Sequence, residues 1–126
     1  MRPYTTKELS GAIEELDVKH GDTIYVSSSL FQLGAMVGVN SSNELCHEIL
    51  NCLMQIVGKE GTIVAPTFTP SLGRNGKAYI LEETPAETGI FSEFIRTHPA
   101  SIRSIHPLHS MASIGSRAEE ICHNTP

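Results

Sequence analysis

The residues with chemistry to offer fall in three short stretches. "RSIHPLHS" (103 to 110) places an arginine, two serines, two histidines and a proline within eight positions, and Pro107 prevents an ordinary helix there. "SSSLFQLGAMVG" (27 to 38) carries three hydroxyls followed by Gly34 and Gly38, and "PTFTPS" (66 to 71) adds more hydroxyls between two prolines. Serine hydroxyls and backbone N–H groups at the end of a strand can hold phosphate or carbonyl oxygens, and an arginine is a planar, always-charged donor suited to phosphate. Together they describe an anion pocket. The same residues also serve turns and caps, and "PTFTP" also reads as a rigid bend. His106 and His109 are spaced H-x-x-H, but Pro107 breaks the helical geometry that would align two imidazoles and no third ligand follows, so no metal is expected. "CHEIL" (46 to 50) starts like H-E-x-x-H, yet position 51 is asparagine. No G-x-S-x-G is present, so a serine hydrolase using Ser27, Ser28 or Ser29 would need a base for which no position speaks. His20, His47, His98 and His123 read as surface residues or caps.

The elements that must position these stretches alternate between helix and strand. Thr5 precedes Glu8, Ser41 precedes Glu44 and Ser116 precedes Glu119, each by three residues, so each pair reads as a capping box. The first opens a helix over about residues 6 to 18, with Leu9, Ile13 and Leu16 at helical spacing and Gly21 closing the turn. The second carries the apolar stripe Leu45, Ile49, Cys52, Leu53 and Ile56, ended by Gly58. The third runs past Ile121. A shorter helix is expected at "GIFSEFIRTH", where Phe91, Phe94 and Ile95 share a face and Pro99 follows. "DTIYVS" (22 to 27), "GTIVAP" (61 to 66) and "SMASIG" (110 to 115) read as strands buried on both faces. The pattern is α/β, so the three stretches above sit at strand exits or entries, where open sheets bind ligands. "SLGRNGKAY" (71 to 79) reads as a mobile loop.

Composition bounds the rest. The chain has 126 residues, with 40% hydrophobic and 18% charged residues, which suits one soluble globular domain over residues 1 to 126. No apolar run approaches the roughly 20 residues of a membrane crossing, and "MRPYTTKELS" lacks a secretory leader, so a cytoplasmic location is expected. A net charge of -5 argues against nucleic-acid binding. Cys46, Cys52 and Cys122 are odd in number and lack C-x-x-C spacing, so reduced, buried thiols are expected.

Residue order adds a resemblance. "GDTIYVSSSLFQLG", "GKEGTIVAPTFTPS" and "PAETGIFSEFIRTHPASIRSIHPLHSMASIGSRAEEI" resemble, in that order, the N-terminal half of the aminoglycoside N3-acetyltransferase (antibiotic N-acetyltransferase) family. The resemblance implies an α/β fold of that family's own type, a three-layer-like sheet flanked by helices and distinct from GNAT acetyltransferases, incomplete in this chain. It implies acetyl-coenzyme A as acyl donor and an amine of an aminoglycoside or amino sugar as small-molecule acceptor, in a product relevant to antibiotic resistance. Under it, Ser27, Ser28, Ser29, Leu30, Leu33 and Gly34 match the segment lining the coenzyme, although the family usually has a histidine where this chain has Ser27. Arg103, Ser104, His106, Pro107 and Ser110 match a second coenzyme-facing segment, with Arg103 either a phosphate donor or a structural tie to backbone carbonyls. Pro66, Thr67 and Phe68 would lie near the junction of acyl donor and amine. The catalytic histidine of the family belongs to its C-terminal half, so no catalytic residue is assigned, and a coenzyme-binding module without catalysis is the alternative reading. A half-domain with an open sheet edge would also favour self-association.

Overall fold

The structure is a computed structural model and describes residues 3–27 and 34–124. Helix α1, Thr6–Glu15, starts where Thr5 accepts the Glu8 N–H at 3.1 Å. It stops earlier than the apolar spacing predicts, because Asp17 adopts a left-handed conformation at φ 64° and the chain turns before Gly21. Strand β1, Thr23–Tyr25, leads to helix α2, Ser42–Val57. Ser41 caps α2 by accepting the Glu44 N–H at 3.1 Å, and the Glu44 carboxylate accepts the Asn40 N–H at 3.0 Å. The predicted stripe of α2 is the core face, where Ile49, Cys52 and Leu53 are buried together with Cys46, Leu50 and Val57.

Strand β2, Thr62–Pro66, pairs in parallel with β1, so β1, α2 and β2 form one crossover unit. The stretch read as a mobile loop contains a single helical turn, α3, Leu72–Asn75, and helix α4 follows at Ile90–Thr97. Strand β3, Ile102–Arg103, is only two residues long and carries no pattern from which a sequence reading could find it. Strand β4, Met111–Gly115, inserts between β2 and β3 and runs antiparallel to both, giving the order β1-β2-β4-β3. Helix α5, Ala118–Asn124, ends the described chain.

Ser116 does not reach for Glu119: its hydroxyl donates to the Glu60 carbonyl, while Thr62 Oγ1 accepts the Arg117 N–H at 2.9 Å, so α5 is tied to the start of β2. At the register pair Thr62 and Gly115 the strands approach so closely that a Cβ on Gly115, at φ 133°, would meet the Gly61 carbonyl and Thr62 Cα.

Alternation divides the sheet into two faces. Ile63, Ala65, Ala112 and Ile114 join α2 and α4 through Ile49, Leu50, Leu53, Val57, Phe91 and Ile95. Thr62, Val64 and Ser113 point the other way, where Cys122 of α5 places Sγ 3.3 Å from Ser113 Oγ. Helices thus cover both faces, as the three-layer expectation requires. Strand β1 departs from the expectation of burial on both faces: it is an edge strand, and Tyr25 is 55% exposed.

Candidate functional site

The parallel pairing of β1 and β2 and the antiparallel pairing of β4 bring four strand ends to one end of the sheet: the exits of β1, β2 and β3 and the entry of β4. Ser27, the Pro66 to Thr69 segment and the 103 to 110 stretch therefore share one region. Ser27, after β1, is exposed. Ser28, Ser29, Leu30 and Leu33 lie outside the described residues. Gly34 has φ 79°, a left-handed conformation that favours glycine.

Beyond Pro66 the ladder continues. Thr67 N–H donates to the Ser110 carbonyl at 2.9 Å and Thr69 N–H to the Leu108 carbonyl at 2.8 Å, while Ser104 N–H donates to the Met111 carbonyl at 2.8 Å. Thr67, Thr69 and Ser110 are 0% exposed and Ser104 is 1% exposed. Their hydroxyls bind protein. Ser110 Oγ donates to the Thr67 carbonyl at 2.9 Å and lies 2.9 Å from Thr67 Oγ1. Each hydroxyl has one proton, so Thr67 donates to Ser110 and both oxygens remain acceptors. The Arg103 Nε–H fills that position, at 3.2 Å from Thr67 Oγ1 and 3.1 Å from Ser110 Oγ. Ser104 Oγ accepts the Met111 N–H at 2.8 Å, and Thr69 Oγ1 donates to the Pro107 carbonyl at 2.7 Å.

Of the remaining Arg103 donors, Nη2 stays at the β2 exit and Nη1 leaves the sheet. Nη2 donates to the Thr67 carbonyl at 3.0 Å, and Nη1 donates to the Leu81 carbonyl at 3.3 Å and to the Thr84 carbonyl. The Tyr79 ring lies 4.9 Å from the guanidinium carbon and its hydroxyl donates to the Ser104 carbonyl at 2.8 Å. Burial lowers the Arg103 pKa; Tyr79 opposes it, Arg96 adds a smaller lowering and Glu93 a still smaller raising contribution. Arg96 itself is forked to Glu93. Burial pushes the Glu93 carboxyl up, but the hydrogen bonds from Arg96 and from the Ala86 N–H outweigh it and hold the group below its ordinary value.

At the surface the site presents rings. His106 Nδ1 accepts the Leu108 and His109 N–H groups at 3.1 and 2.9 Å, which closes the turn after Pro107 and leaves the ring proton on Nε2. The His106 and His109 rings lie 5.3 Å apart, and His109 meets Phe68 edge-on at 5.2 Å. Phe68 N–H has no partner among the described residues; it points away from β4, on the side where the Phe68 carbonyl accepts the Glu87 N–H at 2.9 Å. Thr88 Oγ1 donates to the Pro66 carbonyl, and the Glu87 carboxylate accepts the Ser71 hydroxyl. Two clefts flank this exit. One of about 570 Å³ opens between the starts of α2 and α4, beside Ser42, Cys46, Ile90 and Phe94. The other, about 440 Å³, lies between α3 and residues 83 to 87, beside Asn75, Glu83 and Glu87. Among the described residues no cluster of histidine, cysteine and carboxylate could hold a metal ion, and no helix is long and apolar enough to cross a membrane.

The family model described as aminoglycoside 3-N-acetyltransferase matches residues 25–126. The chain belongs to this family. Aminoglycoside N(3)-acetyltransferase III of Pseudomonas aeruginosa is 29% identical, over 92% of this chain and 47% of that protein. The crystal structure of YokD from Bacillus subtilis aligns with a TM-score of 0.80 at 26% identity, covering 98% of this chain and 55% of the other. AAC-IIIb, whose structure is a binary complex with CoASH, shares the fold with a TM-score of 0.79 at 22% identity over 99% of this chain and 51% of the other. The chain spans about half the length of the relatives it matches.

Pro66, Thr67, Phe68 and the 103 to 110 stretch are contiguous at this end of the sheet. Sequence reasoning missed Tyr79, Thr84, Glu87 and Thr88, which the fold brings to Arg103 and Pro66 from the stretch after α3. Only the turn chemistry of "SLGRNGKAY" hinted that this stretch was irregular, and nothing in it encoded that Tyr79 would meet Arg103.

Proposed function

We propose that this chain carries the coenzyme side of an N-acetyltransferase that moves an acetyl group from acetyl-coenzyme A to an amine of an aminoglycoside or amino sugar. The observation that carries this reading is the convergence of Ser27 after β1, Pro66 to Phe68 after β2 and Arg103 to Ser110 between β3 and β4 at one end of the sheet. The residues present fit an acyl-thioester arm: a Phe68 N–H with no partner among the described residues, an exposed Ser27, and the rings of Phe68, His106 and His109 around the β2 exit. When bound, the coenzyme would supply an acyl group activated as a thioester, transferred to the amine nitrogen with release of the coenzyme thiol, which takes up the proton that the amine loses.

In this reading the Phe68 N–H donates to the carbonyl oxygen as negative charge develops there, a contribution of the oxyanion-hole type. Ser27 to Gly34 and the Ser104 to Ser110 turn line the coenzyme arm, with His106 offering its Nε2–H. Aliphatic amines are mostly protonated at neutral pH, so a general base is needed, worth about 10²- to 10⁴-fold. His106 does not have the form for that task, because its Nδ1 lone pair is engaged by two amides and its Nε2 carries the proton. A coenzyme-binding module without catalysis is the second reading, favoured by the engagement of Thr67, Ser104 and Ser110 with protein partners.

Calorimetric titration of acetyl-coenzyme A into the chain, followed by an acetylation assay across a panel of aminoglycosides and amino sugars, tests the two readings. Saturable binding with turnover supports the enzyme, binding without turnover supports the module, and no binding overturns both.

A further inference from the structure

Arg103 is 7% exposed, and every acceptor it touches is a carbonyl or hydroxyl oxygen. Glu93, the acid whose charge acts on Arg103, is committed to Arg96. A buried charge without a carboxylate in contact is expensive unless carbonyl dipoles and hydroxyls surround it, and here they do. Those acceptors belong to three separate stretches: Thr67 after β2, Ser110 before β4, and Leu81 and Thr84 in the stretch after α3. Tyr79 adds a π face below the guanidinium and ties itself to Ser104. An arginine has five N–H groups, and these contacts engage four of them: one on Nε, two on Nη1 and one on Nη2. One N–H is left, on a residue almost wholly covered.

We propose that Arg103 is the positioning residue of the site. Its planar fork holds the Pro66 to Phe68 exit and the 79 to 84 stretch at a fixed separation, and it acts on any coenzyme or amine only through them. The hold reaches the chemistry because the same stretch continues to Glu87 and Thr88, which bind the Phe68 and Pro66 carbonyls from the side away from β4. Thr67 and Phe68 are thereby clamped on both sides. Lysine cannot replace this: its single ammonium cannot reach the two hydroxyls, the Thr67 carbonyl and the Thr84 carbonyl at once. The functional consequence rests on the proposed acetyl transfer; the clamp itself does not.

Amide hydrogen exchange on Arg103→Lys and Arg103→Gln tests it without a ligand. In both variants the Thr67, Thr69 and Glu87 amides should exchange about tenfold or more faster, while the Gly21 and Thr62 amides at the opposite end of the sheet keep their protection. Uniform acceleration of all five amides would show a merely structural residue, and unchanged protection of the first three would show a dispensable clamp; either overturns the proposal. Should the Arg103 variants fail to fold, Tyr79→Leu removes the π face and the Ser104 tie and should accelerate the same three amides. Titration of acetyl-coenzyme A supplies the second arm. Both Arg103 variants should bind about tenfold more weakly, with lysine no better than glutamine. Rescue by lysine would overturn positioning in favour of direct charge. Absence of binding by the unaltered chain would refute the proposed function while the exchange data still decide the clamp.

Discussion

Ser110 shows how much a single hydroxyl carries at this site. Its Oγ donates to the Thr67 carbonyl and accepts from the Thr67 hydroxyl and from Arg103, so Ser110→Ala leaves a buried carbonyl, a buried hydroxyl and a buried N–H with one partner fewer each. We expect a loss of about 1–3 kcal/mol in chemical denaturation. Glu93 supplies a pH dependence. Its carboxyl pKa is lower in the folded chain than in the unfolded one, so it stabilises the fold above the unfolded carboxylate value of about 4.3. That stabilisation is lost as pH falls through the lower folded value. Thermal melts should show stability dropping at acid pH, and Glu93→Gln should remove that part of the drop and also lower stability at neutral pH.

Among the elements, the three serine and threonine starts that look alike in sequence differ in the fold. Thr5 and Ser41 are N-caps, whereas Ser116 ties α5 to the Glu60 carbonyl. Ser41→Ala should therefore cost about 1 kcal/mol through a lost cap, measurable by urea denaturation. The same reading of "TTKE", "SSNE" and "SRAE" failed once because a tertiary acceptor competed for the Ser116 hydroxyl. Strand β1 shows a similar limit. Its β-branched run reads as doubly buried, yet its place at the sheet edge leaves Tyr25 open.

Across the whole molecule, the burial of Cys46, Cys52 and Cys122 ties thiol chemistry to folding. Burial raises the Cys46 and Cys122 pKa values, and the Ser113 contacts at Cys122 only partly oppose it. All three thiols should be nearly inert to a thiol reagent at neutral pH and react together once the chain is denatured, as absorbance would show.

The sequence by itself determined the elements whose signals are local: the capped starts of α1 and α2, the apolar stripe of α2, the Phe91 and Ile95 face of α4, and the strand character of residues 62 to 66 and 111 to 115. It also determined that three polar stretches follow or precede strands. Helical periodicity and strand alternation are properties of neighbouring residues, so they are legible without a fold. Only the tertiary structure decided that β4 runs antiparallel between β2 and β3, that two residues suffice for β3, and that Arg103 meets Leu81 and Thr84 instead of solvent. Those outcomes depend on burying one face of the sheet under α2 and α4 and on satisfying a guanidinium that burial had stripped of water. No residue's nearest neighbours in sequence carry that information.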